Sequence, residues 1–341
     1  MRDGQANYPR RRFVSGMTLA GTAAMLGVAP RPAFGEPPPE TTRLVLRRNP
    51  TPGYACIAPQ LMAEELLKGE GFVDVQYPRL GRVDALKALA RGDVQMDLGF
   101  IGNFMTQVDE GAPIVVLAGI HVGCFQLFAT NRIRTIGDLK GKTAGVTELG
   151  SGRHVFLAAA LAWVGLHPEK DVKFVQHPPA ESMRLLAEAK IDAYQAFAED
   201  VQELRAKKIG RSLLDSTLDR PWSQYFCCMV AAHKEFVQKN PIATKRALRA
   251  LLKASNVCAV QPEQVARFLV EKGHTREYDY VLSMLKELPY TRWRDVDPED
   301  TIRFYGVRLH EAGMIKSTPQ KIVAQGTDWR PLNALKRELK G

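Results

Sequence analysis

The residues best suited to hold a small solute lie in a glycine-rich segment near the middle of the chain, Gly150-Ser151-Gly152-Arg153. Here a turn runs into a predicted helix, which would expose backbone N–H groups and the positive end of the helix dipole. Arg153 would add a fixed positive charge with fork-shaped geometry. The segment therefore predicts an anion-binding site. The alternative is that Ser151 only caps the helix while Arg153 faces water.

Two loops nearer the N-terminus carry further candidates for ligand contact. Thr51 and Tyr54 lie between the first predicted strand and its helix, and Tyr54 offers a flat ring with a hydroxyl. Gly102 and Asn103 lie in a loop just before another predicted helix. Gly102 would let the backbone approach a ligand, and Asn103 can both donate and accept hydrogen bonds. The alternatives are packing of Tyr54 on its own lobe and helix capping by Asn103.

Charged side chains and a histidine also follow several of the predicted strands. Glu199 follows one of them and is a candidate for the cleft; the alternative is a first-turn acid that complements the helix dipole. His121 follows a strongly apolar strand near the predicted hinge. It is a ligand candidate, although a lone histidine is more often structural. Arg47 and Arg48 end the first strand and could help to bind an anion, but we expect them to be solvated.

The five cysteines show no spacing that is typical of a metal or redox centre. They contain no Cys-x-x-Cys pair, so we expect mostly small buried side chains. Metalloprotease, Walker and Gly-x-Ser-x-Gly motifs are missing from the sequence as well. No basic tract is interleaved with aromatic residues, which argues against a nucleic-acid partner. We predict no catalytic residue, no metal and no cofactor. The cysteines are Cys56, Cys124, Cys227, Cys228 and Cys258.

The N-terminus has the three parts of an export signal. Arg10-Arg11-Arg12-Phe13 matches the twin-arginine pattern. A weakly apolar stretch over 14–29 follows, shorter than the roughly 20 residues of a spanning helix. Ala33-Phe34-Gly35 is a small-x-small cleavage candidate. We therefore predict a twin-arginine signal peptide over 1–35, a proline-rich lead-in over 36–42 and a periplasmic location.

From residue 43 onward, predicted strands and helices alternate, and this order sets the architecture. Two such series followed by mostly helical segments predict two α/β lobes, each with a mainly parallel sheet flanked by helices. The length of 341 residues suits two domains. Ligands in such folds lie beyond the carboxyl ends of strands, where two units meet. The predicted bounds are 43–127 for the first part of lobe 1, 128–229 for lobe 2, and 230–341 for the return to lobe 1 and the C-terminal helices.

Four short motifs occur in a characteristic order: Asp97-Leu98-Gly99-Phe100-Ile101-Gly102, Gly111-Ala112-Pro113-Ile114, Asp138-Leu139-Lys140-Gly141-Lys142, and Phe236-Val237-Gln238-Lys239-Asn240-Pro241. In this order the chain resembles the nitrate/sulfonate/taurine-type periplasmic binding proteins, which are related to the thiamine-pyrimidine synthases. The resemblance extends over roughly residues 43–270. It implies a two-lobed type II periplasmic binding protein, a Venus flytrap, with a double crossover at the hinge.

The resemblance also implies a function. Such proteins are soluble substrate-binding components of ABC importers, which close on a small solute and deliver it to a membrane permease and its ATPase. Family substrates include sulfonates, nitrate, bicarbonate and pyrimidines. Similar members place ligand contacts in the loop that corresponds to Gly150–Arg153, and many have a carboxylate near Glu199. The formal net charge is +10, of which +4 lies in residues 1–35, and the remaining +6 fits either attraction of an anionic solute or merely a basic surface. We expect a monomer that binds a small organic anion such as a sulfonate or carboxylate.

Two alternatives remain from the sequence. The same scaffold family includes a desulfinase whose nucleophilic cysteine follows the first strand, and Cys56 has a similar place. A reactive thiolate needs a base or a positive charge beside it, and the sequence identifies none for Cys56. The pyrimidine synthases carry a cysteine-rich motif that Cys227-Cys228 echoes faintly. The other alternative is a ligand-sensing subunit of a signalling receptor.

Overall fold

The computed structural model describes residues 36–48 and 55–339. The predicted signal peptide over 1–35 lies outside the described residues. So do Thr51 and Tyr54, two of the predicted ligand contacts. No helix within the described residues is both long and apolar enough to cross a membrane.

Ten strands form the framework of the described part of the chain. They fall into two groups that correspond to the two predicted series. The strands are β1 (Arg43–Val45), β2 (Asp74–Gln76), β3 (Met96–Phe100), β4 (Ile114–Val122), β5 (Phe125–Ala129), β6 (Lys142–Val146), β7 (Val172–Gln176), β8 (Ala193–Phe197), β9 (Arg211–Asp215) and β10 (Phe226–His233).

The described residues also form fourteen α-helices, which alternate with the strands or follow the last of them. Proline in the first turn starts many of them, since its missing N–H has no intrahelical partner there. The helices are α1 (Ala58–Gly69), α2 (Arg82–Arg91), α3 (Ile101–Asp109), α4 (Gly152–Trp163), α5 (Pro168–Asp171), α6 (Pro179–Ala187), α7 (Ala198–Ala206), α8 (Lys234–Lys239), α9 (Pro241–Val260), α10 (Pro262–Glu271), α11 (Tyr278–Glu287), α12 (Pro298–Glu311), α13 (Pro319–Gly326) and α14 (Arg330–Glu338).

The first sheet combines an N-terminal segment with a returning strand. β1 and β2 pair in parallel, and a parallel bridge between Leu46 and Met96 joins them to β3. β10 lies between β3 and β4 and runs antiparallel to both. Strands β3 and β4 are buried along their whole length, as a sheet covered on both faces requires.

The second sheet has the order β7-β6-β8-β5-β9. β6 is parallel to β7 and β8, whereas β5 is antiparallel to its neighbours β8 and β9. Each sheet therefore contains one antiparallel strand, β10 or β5, and these are the two strands by which the chain crosses between lobes. The architecture is the predicted α/β fold with a double crossover.

The chain changes sheets a few residues before the predicted lobe boundaries. β5 already belongs to the second sheet and β10 to the first, so boundaries after residues 127 and 229 fall inside these strands. The reason is that an apolar pattern marks a strand without showing which sheet it joins.

Aromatic side chains and C-terminal helices connect the two lobes. The ring of Phe125 on β5 stacks on Phe156 of α4 at 4.5 Å and meets Phe100 of β3 edge-on at 5.0 Å. Helix α12 packs on both α3 and α4. On the other side, the Tyr280 hydroxyl of α11 donates to the carbonyl of Ala198 at the start of α7, at 3.1 Å.

The side chain of Glu40 in the proline-rich lead-in contacts the first lobe. The Glu40 carboxylate accepts from the backbone N–H groups of Ile242 and Ala243 at 2.9 and 2.8 Å. These are otherwise unsatisfied donors in the first turn of α9. The charge of the carboxylate also complements the dipole of α9.

Candidate functional site

A cavity of about 440 Å³ lies between the two sheets. Most of its walls come from segments at the carboxyl ends of β1, β3, β6, β7 and β8, as expected where two α/β units meet. Both lobes contribute side chains, so a solute bound here would contact both. The lining residues are Arg47, Cys56, Gly81, Arg82, Phe100, Asn103, Phe125, Thr147, Glu148, Ser151, Gly152, Arg153, Pro179, Phe197, Glu199 and Cys228.

On the first lobe, two arginines share one carboxylate. Asp97 on β3 is fully buried, and its oxygens contact Arg47 Nε at 2.9 Å and Arg82 Nη1 at 2.6 Å. Arg82 also donates to the carbonyl of Leu98 at 3.2 Å. Burial and the neighbouring Arg82 lower the pKa of Arg47, and Asp97 opposes this effect. With two guanidinium groups against one carboxylate, the group has an excess of one positive formal charge at the cavity wall.

Local sequence explains how Arg82 reaches this position. Gly81 is the extended residue before α2, so Arg82 begins that helix beside the end of β3. Gly99 on β3 leaves room for the guanidinium, since a Cβ at that position would collide with it. Asp97 and Gly99 of β3 thus allow the side chains of Arg47 and Arg82 to pack against this strand. Contrary to the expectation for Arg47, its side chain is buried rather than solvated.

On the second lobe, the N-terminus of α4 faces the cavity. Gly150 has φ +79°, a left-handed conformation that favours glycine, and Ser151 is the N-cap, accepting from the His154 N–H. Asn103 of the first lobe donates to the Gly150 carbonyl at 2.6 Å, which links the lobes at this point. Gly152 lies close to Asn103 and lets the helix start approach the first lobe. The positive end of the α4 dipole is therefore part of the wall.

Arg153 lines the cavity, but its guanidinium already has partners in the protein. It contacts carboxyl oxygens of Asp200 and Glu199, the latter at 3.3 Å. It also donates to the Tyr194 hydroxyl at 3.1 Å and the Gln195 carbonyl at 3.3 Å. Arg153 is therefore not a solvated side chain in an open cleft. It is 6% exposed, and its contacts hold the start of α7 against β8. Direct contact of Arg153 with an anion stays a prediction.

Glu199 contributes a carboxyl group to the same wall. Burial raises its pKa well above the usual range, opposed by Arg153 and reinforced by Asp200. Its Oε2 is buried and makes no hydrogen bond within the described part of the chain. A carboxyl group that keeps its proton can donate a hydrogen bond to an anion. Glu199 therefore lies where it was predicted, in an environment that favours the neutral acid.

Three phenylalanines form an apolar wall beside these polar groups. Phe100 and Phe125 contact edge-on, and Phe125 meets Phe197 in the same way with ring centroids 4.9 Å apart. All three line the cavity. A ligand with an anionic end and an apolar body would match both surfaces, because apolar walls with a few placed polar groups are typical of small-molecule sites.

Cys56 also lines the cavity, but its surroundings do not activate it as a nucleophile. The thiol is buried, and burial raises the pKa of Cys56 to about 12. Such a group is a protonated thiol at neutral pH, whereas the reactive form is the thiolate. Its neighbour on the cavity wall is Cys228 of β10.

Five of the predicted ligand residues line the cavity and three do not. Gly102 is packed between Phe100 and Val155, with no room for a Cβ. Gly150 presents its carbonyl to Asn103 rather than to the cavity. His121 is buried behind the wall, within 3.0 Å of the Cys56 carbonyl. The five that line it are Asn103, Ser151, Gly152, Arg153 and Glu199.

Sequence reasoning missed the strongest electrostatic feature, the group formed by Arg47, Arg82 and Asp97. One signal was present, since an aspartate within an otherwise apolar strand is rarely buried without a cationic partner. Which arginine would pair with it was not visible, because Arg47 and Arg82 are far from Asp97 in sequence. The aromatic wall was missed for the same reason.

Comparison with known proteins gives a family and a set of relatives. The NMT1/THI5-like family model matches residues 68–265, more than half of the chain. A binding protein of Brucella abortus is 26% identical over 195 residues, which make up 55% of this chain and 60% of the relative. Equivalent proteins of Brucella suis and Brucella melitensis match to the same extent. The chain thus spans about 60% of the length of the curated relatives it matches.

Solved structures with the same fold cover most of the chain at low sequence identity. The periplasmic nitrate-binding protein NrtA from Synechocystis superposes with a TM-score of 0.71 and 16% identity, over 89% of this chain and 90% of NrtA. The aliphatic sulphonate-binding protein SsuA from Escherichia coli gives 0.65 and 19%, over 82% and 91%. The desulfurization enzyme DSZB gives 0.60 and 14%, over 87% and 99%.

These structures share the periplasmic binding protein fold, which confirms the predicted architecture. The family match begins in α1 and ends in α10, and it includes both crossover strands. The chain belongs to the NMT1/THI5-like family.

Proposed function

We propose that this chain is the periplasmic substrate-binding component of an ABC importer, and that it captures a small organic anion with an apolar part. The observation that carries the proposal is the cavity between the lobes, where Arg47 and Arg82 share the single carboxylate of Asp97. The N-terminus of α4 adds partial positive charge from the other lobe. Together they favour an anion over a neutral or cationic ligand.

The aromatic wall narrows the proposed ligand class. Phe100, Phe125 and Phe197 give this side of the cavity an apolar character that an inorganic ion such as nitrate would not match. A sulfonate or carboxylate carrying a short hydrocarbon or aromatic group would cover it. The names of NrtA and SsuA, which bind nitrate and sulfonates, support an oxyanion ligand on this scaffold.

The proposed partners and location follow from this role. A binding component of this kind delivers its solute to a membrane permease and its ATPase, and it acts as a monomer outside the inner membrane. The twin-arginine pattern at Arg10-Arg11 supports export to the periplasm. Closure of the lobes around the ligand would be accommodated at the two crossovers.

A thermal-shift screen followed by calorimetry tests the ligand class. The mature chain is mixed with aliphatic and aromatic sulfonates, matched carboxylates, nitrate, bicarbonate and pyrimidines. We expect the largest rise in melting temperature with an organic anion, because a ligand that binds only the folded state stabilises it. Uncharged amides and alcohols of the same size are the control. The proposal is wrong if these neutral analogues bind as tightly as the anions.

A cysteine-dependent enzyme is the second candidate, because Cys56 lines the cavity and DSZB has the same fold. The high pKa of the buried Cys56 thiol supports binding without catalysis. We therefore expect no turnover of an aromatic sulfinate, and we expect Cys56→Ser to bind the screened anion within a few-fold of the unchanged chain. Release of sulfite from the sulfinate, lost in Cys56→Ser, would establish the enzyme instead.

A further inference from the structure

Three cysteine side chains that are far apart in sequence meet behind the cavity wall. The sulfur atoms of Cys56, Cys124 and Cys228 all lie within 4.8 Å of one another. All three side chains are buried. No sequence motif announces this group, because its members are separated by about 70 and 100 residues along the chain.

Each thiol is held by a different element near the crossover. Cys56 lies in the 3-10 turn Ala55–Ile57 before α1, and Cys228 lies on the returning strand β10. Cys124 lies in the connection between β4 and β5, with φ +102°. That backbone conformation favours glycine, so a cysteine is retained there at the cost of strain. A function of the Cys124 thiol would explain why a cysteine stands at this strained position.

We propose that Cys56, Cys124 and Cys228 form a three-thiolate site for a thiophilic divalent ion, with Zn²⁺ as its occupant. Tetrahedral zinc with Zn–S bonds of about 2.3 Å places sulfur atoms about 3.8 Å apart, so each pair needs to close by about 1 Å at most. Small side-chain rotations supply such a change. On binding, each thiol gives its proton to solvent and forms one Zn–S bond, which leaves one coordination position.

Cys56 and Cys228 line the cavity and Cys124 is not among its lining residues, so the remaining position would open towards the cavity. Three protein ligands with an open fourth position are the arrangement of zinc sites that also bind an exogenous group. A zinc ion here would therefore be reachable by water or by a donor atom of a bound solute. This would give the cavity a second contact for an anion, separate from Arg82.

The surroundings suit a metal centre of this charge. Three thiolates and Zn²⁺ carry a net charge of −1, and Arg47 lies on the same cavity wall as Cys56. His121 is a positioning residue: its ring nitrogens lie 3.0 Å from the Cys56 carbonyl and 3.1 Å from that of Val122. Its ring thereby fixes the turn that carries Cys56. Outer-shell contacts of this kind orient metal ligands.

The test is metal titration of the reduced, chelator-treated mature chain, with Co²⁺ as the spectroscopic probe and Zn²⁺ in competition with a chromophoric chelator. We expect one ion per chain, sulfur-to-cobalt charge-transfer absorption and proton release on binding. Cys124→Gly relieves the backbone strain and keeps the fold, so it removes one ligand cleanly. We expect its Zn²⁺ affinity to fall by more than the roughly 10- to 100-fold that loss of an outer-shell partner costs.

Cys258→Ser is the matched control, since Cys258 is equally buried on α9 but outside the group of three. Its metal affinity should equal that of the unchanged chain, and circular dichroism should show that both variants are folded. Absence of charge-transfer absorption, or equal Zn²⁺ affinity in Cys124→Gly, would overturn the site. A disulfide between two of these cysteines in protein taken from the periplasm would also overturn it. The proposed capture of an anion is measured on metal-free protein, so failure of the zinc site and failure of anion capture are distinguishable.

Discussion

Replacing Arg82 by methionine tests the electrostatic basis of ligand binding most directly. The variant keeps much of the side-chain volume but removes the excess positive charge, because Asp97 retains its ion pair with Arg47 at 2.9 Å. At about 4 Å and an effective dielectric constant of about 20, one unit charge attracts an anion by about 4 kcal/mol before desolvation. A hydrogen bond to a charged group retains about 1.5–3 kcal/mol of this as net stabilisation.

We therefore expect Arg82→Met to weaken anion binding by roughly 10- to 150-fold, since 1.4 kcal/mol corresponds to a factor of ten. The assay is isothermal titration calorimetry with the anion that ranks first in the thermal-shift screen. Arg184→Met removes the same charge from the exposed face of α6 and should change the affinity less than twofold. Equal affinity for Arg82→Met and Arg184→Met would refute the assignment of Arg47, Arg82 and Asp97 as the anion contact.

Three further predictions address the second lobe and the leader. Arg153→Ala should lower the free energy of unfolding by about 3–5 kcal/mol, because it leaves the buried Asp200 carboxylate unpaired; an unchanged denaturation midpoint would contradict the pairing. Burial raises the pKa of Glu199 in the folded chain above its usual range near pH 4. Between these two pKa values the carboxyl group ionises in the unfolded chain but not in the folded one. The free energy of unfolding therefore falls as the pH rises through this window. The gain in melting temperature of Glu199→Gln over the unchanged chain should therefore grow from pH 4 to pH 7, whereas a constant difference would speak for an ionised Glu199. Arg10→Lys combined with Arg11→Lys should retain the precursor in the cytoplasm, as cell fractionation and immunoblotting would show; undiminished processed protein in the periplasm would exclude the twin-arginine route.

Most elements could be predicted because their signals are local. The apolar pattern predicts strands over 96–100 and 125–129, and β3 and β5 have these bounds. Pro241 and the pattern after it predict a helix over 241–260, which are the bounds of α9. The pattern also predicts a helix over 104–110, but α3 starts three residues earlier, at Ile101, because its N-cap Phe100 makes no side-chain hydrogen bond and no capping residue marks the boundary.

The candidate site was predictable only where it coincides with a local motif. Ser151 and Gly152 form a turn-to-helix start whose exposed N–H groups follow from backbone geometry alone. Glu199 follows a strand end, which in this fold is where clefts form. The contacts of the Arg153 guanidinium could not be predicted from local sequence, since its partners Asp200 and Glu199 lie more than 40 residues further along the chain.

The sequence by itself thus determined the alternation of strands and helices, the two-lobed fold and the position of the α4 helix start, because periodicity and turn chemistry act over a few residues. Tertiary structure decided which charges are neutralised and which thiols meet. Arg82 and Asp97 come from a helix start and a strand, and Cys124 and Cys228 come from the two crossovers. The meeting of the thiols depends on how the sheets exchange strands, and the energies of buried charges and thiols depend on neighbours that only the folded chain supplies.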